Sequence, residues 1–471
     1  MSVLYEQICL EISKGRIKNI TSDPQKVGKD FLFYAPSEKE HAHIREAINR
    51  GARSILTNQK YEEECLAQGV NFFVHTQPQQ IYHEVCSCMW KKQPAYMCAV
   101  TGTSGKRSVG HFFSQVCTLA GKKAVSLSAS NEPTDALGLW QEKDHMILDA
   151  ADMYSILDDL AGRRIEYCCL AISGAAIESR MIDSVNLKAA AFSNLLRDDL
   201  EQPEDIDKRF QMKVRLLSEV LPEDGIMVLP VASEYTTRII QHCPNKKVCT
   251  YGRATSDIQL ISQLPTQKGQ ILTMKVLGKE MVIHTNILGK FHGNNLVTAM
   301  GLAISCGIDP SSIEHEQISP LAGYMEFLEE YGEERKIMTD CAQTPSELHD
   351  LLLSIKWHFP YNDVTLVLRC SENYEGKNTL KMAKIAAKMV NRIIFTSDSN
   401  GSTLTEKSRR ELMSCCPKAI EIEDRKKAME YAINNCKPSE IIVMQGVKSS
   451  IDKRGVVNDA AAMLKAVVAP Q

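Results

Sequence analysis

Gly102-Thr103-Ser104-Gly105-Lys106 lies between an apolar run, Tyr96 to Val100, and a helical pattern from about Lys106 to Leu119. A glycine turn joining a strand to a helix suits phosphate. Its backbone N–H groups point inward, the helix N-terminus adds positive potential, and a lysine neutralises the β- and γ-phosphates. Val100 occupies the place of the first glycine of the longer P-loop pattern. Arg107 follows the lysine where a hydroxyl would hold Mg²⁺, and Ser108 comes one residue later. The same residues also suit a glycine turn that merely starts a helix. Gly102, Thr103, Ser104, Gly105, Lys106 and Ser108 are therefore candidate contacts to a nucleotide, with ATP and Mg²⁺ as the expected cofactors. A second candidate cluster, His83, Cys86 and Cys88, lacks a second half-site at metal-ligand spacing and reads instead as one face of a helix.

These residues need elements to hold them. A chain of 471 residues is too long for one core. Its 44% hydrophobic and 24% charged content is that of a globular protein. Residues 1–95 read as a small α/β unit, with a short helix, a strand at Phe31 to Tyr34, a helix from Ile44 to Arg50, and strands at Ser54 to Leu56 and Asn71 to Val74. Lys91-Lys92-Gln93-Pro94 reads as the linker to a second unit, 96–318. There, further apolar runs at Ala124 to Leu127, Cys168 to Ile172, Ala189 to Phe192 and Ile226 to Leu229 imply a parallel sheet covered on both faces. Alternation from Asp257 to Leu288 reads as hairpins, and an amphipathic helix from Asn295 to Ser305 follows. Residues 319–471 alternate strands at Lys336 to Thr339, Val364 to Leu368, Arg392 to Thr396, Ala419 to Ile422 and Ile441 to Met444 with helices, one of them opening on Thr344-Pro345. This is a second doubly wound α/β pattern.

The formal net charge of -3 gives no electrostatic reason to expect nucleic acid or an anionic membrane. Sixteen cysteines, two pairs of them vicinal, are scattered rather than arranged as the framework of a small secreted domain. With no signal pattern and no membrane-length apolar run, the expected setting is cytoplasmic with reduced thiols.

The chain resembles the Mur ligases of the MurE type, which add the third amino acid to a UDP-linked peptidoglycan precursor. The resemblance runs over essentially the whole length. Thr21 to Val27, Asp30 to Phe33 and Ala47 to Ala52 carry it in the first unit. The phosphate loop, Phe192-Ser193-Asn194-Leu195-Leu196-Arg197-Asp198-Asp199-Leu200-Glu201 and Gly289 to Leu296 carry it in the second. Gly323-Tyr324-Met325-Glu326 and Asp340-Cys341-Ala342-Gln343-Thr344-Pro345 carry it in the third. It implies a three-domain α/β architecture: a small N-terminal α/β domain of the UDP-substrate type, a central parallel-sheet domain with a P-loop-like turn, and a C-terminal Rossmann-like domain.

The resemblance also implies a reaction, in which ATP and a carboxylate form an acyl phosphate that an amine attacks. That chemistry is mostly electrostatic, because metal and cations offset charge on the transferring phosphoryl group. It assigns catalytic places to Arg197, Asp199 and Lys213, and metal contacts to Ser108, Asp199 and Lys213, the lysine being the one the family carbamylates. Asn295 takes a place facing adenine. The pattern departs from the family at several of these places. Ala171 replaces the metal-binding glutamate, and Asp199 replaces a histidine. Pro24 and Gln25 stand where the uridine side is contacted, and Asp398-Ser399-Asn400-Gly401 stands where diaminopimelate is read. Scaffold positions persist while charged positions change. Two functions follow from this: a non-catalytic homologue that keeps a nucleotide site and serves as a binding protein with a protein partner, or an active ligase of UDP-muramyl peptides with altered metal ligands. A folylpolyglutamate-synthetase-like ligase shares the fold but lacks the small N-terminal domain.

Overall fold

Apolar runs too short for buried helices form the strands of this chain, and glycine, proline and polar clusters separate them. The computed structural model describes residues 3–36, 41–58, 69–128, 131–134, 149–195, 203–328, 336–370, 376–397 and 406–446. It resolves into one unit of Met1–Tyr251 with Thr298–Ile313 and another of Gly252–Val297 with Glu314–Gln471.

The first unit opens with a parallel sheet in sequential order: β1 (Asn19–Thr21), β2 (Phe31–Ala35), β3 (Ser54–Thr57) and β4 (Asn71–Val74). The helix His41–Asn49 lays Ile44, Ala47 and Ile48 into a small core with Phe33 and Ile55. The helix Pro78–Met89 turns Tyr82, His83, Val85 and Cys86 inward, so His83 and Cys86 are packing residues. Among the described residues no group of three or more His, Cys, Asp or Glu is placed to hold a metal.

Seven further strands follow: β5 (Tyr96–Thr101), β6 (Ala124–Ser128), β7 (Asn131–Thr134), β8 (Tyr167–Ala171), β9 (Leu187–Phe192), β10 (Ile226–Pro230) and β11 (Lys247–Gly252). Their order is β11-β10-β9-β5-β8-β6-β7, parallel except for β7. The chain leaves β5 toward β6 on one side and later takes β9 on the other. The carboxyl end of β5 is thus a topological switch point, where open α/β sheets form their ligand crevices.

In the second unit, β12 (Ile258–Pro265), β13 (Gln270–Val276) and β14 (Lys279–Thr285) form the expected antiparallel meander. The next helix spans Lys290–Ser305, starting five residues before the Asn295 expected from the pattern. Gln263 and Gln270 explain the early start. Gln263 Nε2 donates to Lys290 O at 2.8 Å and Gln270 Nε2 to Gly289 O at 3.0 Å, fixing a polar first turn that carries no apolar signal.

The last sheet comprises β15 (Glu326–Phe327), β16 (Lys336–Asp340), β17 (Val364–Cys370), β18 (Arg392–Ser397), β19 (Ile420–Glu421) and β20 (Ile441–Gln445). Its order is β15-β16-β20-β17-β18-β19, with only β15 antiparallel. Successive residues enter opposite cores: Met338, Leu366, Phe395 and Val443 on one face, Ile337, Val367, Ile394 and Ile442 on the other. The helix Pro345–His358 begins on a capping box, with Thr344 and Glu347 satisfying each other's backbone N–H.

Candidate functional site

The phosphate-type loop is shaped from outside. A Cβ on Gly102 would overlap Ser193 Oγ and stand 3.1 Å from the backbone N and O of Asn194, so only glycine fits there. Gly105 caps the helix Lys106–Leu119 in the left-handed region, at φ 79. Between them, Thr103 N donates to Asn194 O at 3.0 Å and to Asn194 Oδ1 at 3.1 Å. Ser104 N donates to the same Oδ1 at 3.0 Å, and Asn194 Nδ2 returns a bond to Ser104 O at 3.2 Å. Ser193-Asn194, just past β9, is therefore the template of the loop. The sequence places these two residues in a matching block without disclosing that role.

Two lysines converge on one carbonyl. Lys106 Nζ donates to Gly102 O at 2.9 Å and to Thr103 O at 3.0 Å, and Lys213 Nζ reaches Gly102 O at 3.0 Å. Sharing that oxygen keeps the two ammonium groups within about 6 Å of each other, a repulsion of roughly 3 kcal/mol at an effective dielectric near 20. Lys213 is only 8% exposed, so it is not a solvated lysine on a helix surface. It lies on the helix Pro203–Arg215, whose Phe210 and Val214 are buried with it. Burial, then the charges of Lys106 and Arg209, push its amine down to about 8.

The turn after β8 lies against Lys213. Ala171 pairs with Val100 of β5, and Ile172 N donates to Val100 O at 2.9 Å. A Cβ on Gly174 would sit 3.7 Å from Lys213 Nζ. The methyl of Ala171, 3% exposed, thus ends a strand beside the loop. Ser108 is on the loop helix at 2% exposure, and Arg107 beside it is half-buried. Asn295 is buried in the helix Lys290–Ser305, in the second unit. Arg197 and Asp199 lie outside the described residues, as does the Asp398 to Gly401 segment. A hard divalent cation takes carboxylate, carbonyl and hydroxyl oxygens. The described charged side chains bonded to the loop, Lys106 and Lys213, are ammonium groups, and these do not hold Mg²⁺.

A further polar cluster escaped the sequence reading. Asp149 caps the helix Ala150–Gly162 through Asp152 N. Its Oδ2 also accepts from Ser22 Oγ and, at 2.6 Å, from Tyr82 OH. Tyr82 stacks on Tyr34 with ring centroids 4.1 Å apart, and Lys26 Nζ lies 3.0 Å from Asp152. Gln25, where the resemblance expects a uridine-side contact, is occupied by Arg50 Nη2 at 2.6 Å and Glu46 at 2.8 Å. Ser22 and Asp149 lie 127 residues apart in sequence, and no spacing rule reports their contact. In the second unit Asp340 accepts from Ala342 N at 2.7 Å and Met325 N at 3.0 Å, tying the Gly323 to Glu326 turn to the end of β16. Burial raises its carboxyl to about 7 against those two bonds.

A phosphate-type loop at the switch point of one parallel sheet, a small parallel sheet before it and a Rossmann-like sheet after it define a three-domain α/β architecture of the ligase type. Within that class the chain belongs to the Mur ligase family. The Mur ligase middle domain matches residues 100–303, and the Mur ligase, glutamate ligase domain matches residues 325–447. The UDP-N-acetylmuramoyl-L-alanyl-D-glutamate--2,6-diaminopimelate ligase of Anaplasma marginale is 29% identical over 431 residues, 89% of this chain and 88% of that one. Its Rhizobium meliloti counterpart is 26% identical over 91% of this chain and 89% of its own. Among solved structures, a ligase of that same name superposes with a TM-score of 0.65 at 20% identity, covering 96% of this chain and 94% of its own. The MurF ligase of Thermotoga maritima in complex with ADP superposes at 0.68 and 13% identity, covering 99% and 100%. Among the described residues no helix is long and apolar enough to cross a membrane.

Proposed function

We propose that this chain is a homologue of the UDP-muramoyl-dipeptide ligases of peptidoglycan precursor synthesis that keeps the nucleotide loop but no longer supports the metal-dependent amide-forming step, and that it acts as a cytoplasmic binding protein. One observation carries the reading. The described charged side chains bonded to the loop are Lys106 and Lys213, while a methyl, Ala171, ends β8 where the resemblance calls for a glutamate. Losing a single group that stabilises transition-state charge commonly costs a factor of a hundred or more in rate. Domain limits of 1–95, 96–318 and 319–471 belong to the same proposal.

Phosphate release is the test, with ATP, Mg²⁺, a UDP-muramyl dipeptide and a panel of amino acids. The expected outcome is no amino-acid-dependent turnover, and sustained turnover overturns the reading. Lys213 favours the second reading, an active ligase with changed metal ligands. Its depressed pKa leaves more of the amine neutral, the form that carbon dioxide modifies. Asp199 and Ser108 would then supply oxygen to the metal. Intact-mass analysis in bicarbonate showing a carboxylated Lys213, together with turnover, supports that alternative.

A further inference from the structure

We propose that the loop takes a nucleoside polyphosphate as the free anion, and that Mg²⁺ bound to the nucleotide weakens the complex instead of supporting it. The inference rests on the nucleotide reading of the loop and deepens it by naming the ionic form of the ligand.

Lys106 and Lys213 both donate to Gly102 O, and Lys106 also donates to Thr103 O. Those carbonyls act as acceptors for two cations that have been drawn together. A phosphate oxygen that reaches the two ammonium groups replaces a neutral carbonyl with a charged acceptor, so each ammonium exchanges a bond to a dipole for a bond between opposite charges. The mutual repulsion of the lysines is screened by the incoming charge in the same step. Arg209, one helical turn before Lys213, and Arg107, in the first turn of the loop helix, add to the positive field.

Magnesium reverses each of these gains. Chelated across two phosphates it removes about half the charge of ATP, and it covers oxygens the lysines would bind. It also carries two positive charges toward Lys213, which is 8% exposed and has no room to withdraw into water. Ala171 offers only a methyl at the end of the neighbouring strand, so that position returns no ligand bond to the metal. Metal and lysine thus compete for the same phosphate oxygens.

Calorimetric titration of the full chain with ADP and with ATP, in EDTA and in excess Mg²⁺, tests this. The affinity is expected to be several-fold higher in EDTA, by an amount that shrinks as salt is raised. Lys213→Met should weaken binding in EDTA by about tenfold or more while changing the Mg²⁺ titration less, and Lys213→Arg should keep the preference for EDTA. A thermal midpoint measured on each variant separates loss of binding from loss of fold. Equal affinity in the two buffers, or tighter binding with Mg²⁺, overturns the inference and leaves the nucleotide loop standing. No binding of either nucleotide in either buffer overturns both.

Discussion

At 8% exposure, with Lys106 bonded to the same carbonyl, Lys213 works against the stability of the fold. Its amine is lowered from 10.5 to about 8, so the unfolded chain holds that proton more tightly than the folded one. The penalty is full below pH 8 and disappears as pH rises through 10.5. That shift corresponds to roughly 3 kcal/mol, from which the lost hydrogen bond subtracts about 1. Gly102 O keeps its bond from Lys106, so Lys213→Met leaves no acceptor stranded. The variant should therefore melt a few degrees above the parent at pH 7, with the advantage narrowing by pH 10 in parallel thermal scans. Asn194→Asp probes the loop template from the other side. Oδ1 still accepts from Thr103 and Ser104, but a negative charge now faces the loop and the bond from Nδ2 to Ser104 O is gone. A midpoint within a few degrees of the parent, with ADP affinity reduced about tenfold or more in calorimetry, is the expected result. Lys213 was half-legible. Ile206, Phe210, Val214 and Leu217 recur at helical spacing and are all buried, which places position 213 at the edge of an inward stripe. That its amine meets Gly102, 111 residues earlier, is a tertiary fact that no local pattern carries.

The elements around the loop were more readable than the contacts. The apolar run from Tyr96, the glycine turn and the helix to Leu119 fall where the sequence places them, because glycine ends the strand pattern and starts the helix. β11 was missed, since Lys247 to Gly252 mixes lysine, cysteine, threonine and tyrosine with little apolar run, and its place next to β10 decides its state. β1 is only three residues long and was missed for that reason. Close helix-on-sheet packing escapes the sequence as well. A Cβ on Gly110 would overlap Ser126 Oγ and come within 3.3 Å of Ser126 Cβ, so the loop helix lies against β6 with no space for a methyl. Gly110→Ala improves helix propensity by about 1 kcal/mol yet should lower stability by roughly 1–2 kcal/mol through overpacking. Urea denaturation of Gly110→Ala, Ser126→Ala and the double variant measures the coupling. Removing the hydroxyl should restore most of the loss, giving a coupling of about 1 kcal/mol, whereas strictly additive effects would show that the contact does not limit the packing.

Across the whole molecule, buried titratable groups pull stability in opposite directions as pH falls, and the size of each effect reports how dry its core is. His83, 7% exposed with Nδ1 lacking a hydrogen-bond partner, is lowered to about 4, mainly by burial. The unfolded chain takes up that proton near 6.5 and the folded chain does not. His83 therefore contributes stability that is present above 6.5 and lost as pH falls toward 4. His358 has the same sign, its imidazole lowered by burial; Nδ1 bonds to Thr266 O at 2.9 Å and Nε2 accepts from Gly289 N at 2.8 Å, an arrangement that needs the neutral ring. Asp340 has the opposite sign. Raised to about 7, it binds its proton in the folded state first, so its contribution grows as pH falls from 7 toward 3.8. These terms offset one another in the parent, whose own acid limb is consequently a poor probe. The difference between the parent and His83→Leu cancels everything except His83. Leucine has similar bulk and nothing to protonate, so the parent should lose about 2 kcal/mol relative to the variant between pH 7 and 4.5 in matched urea titrations. A difference that stays flat over that range would falsify the burial of His83, and with it the tight seating of the helix Pro78–Met89 against the core that includes Met97 and Tyr154.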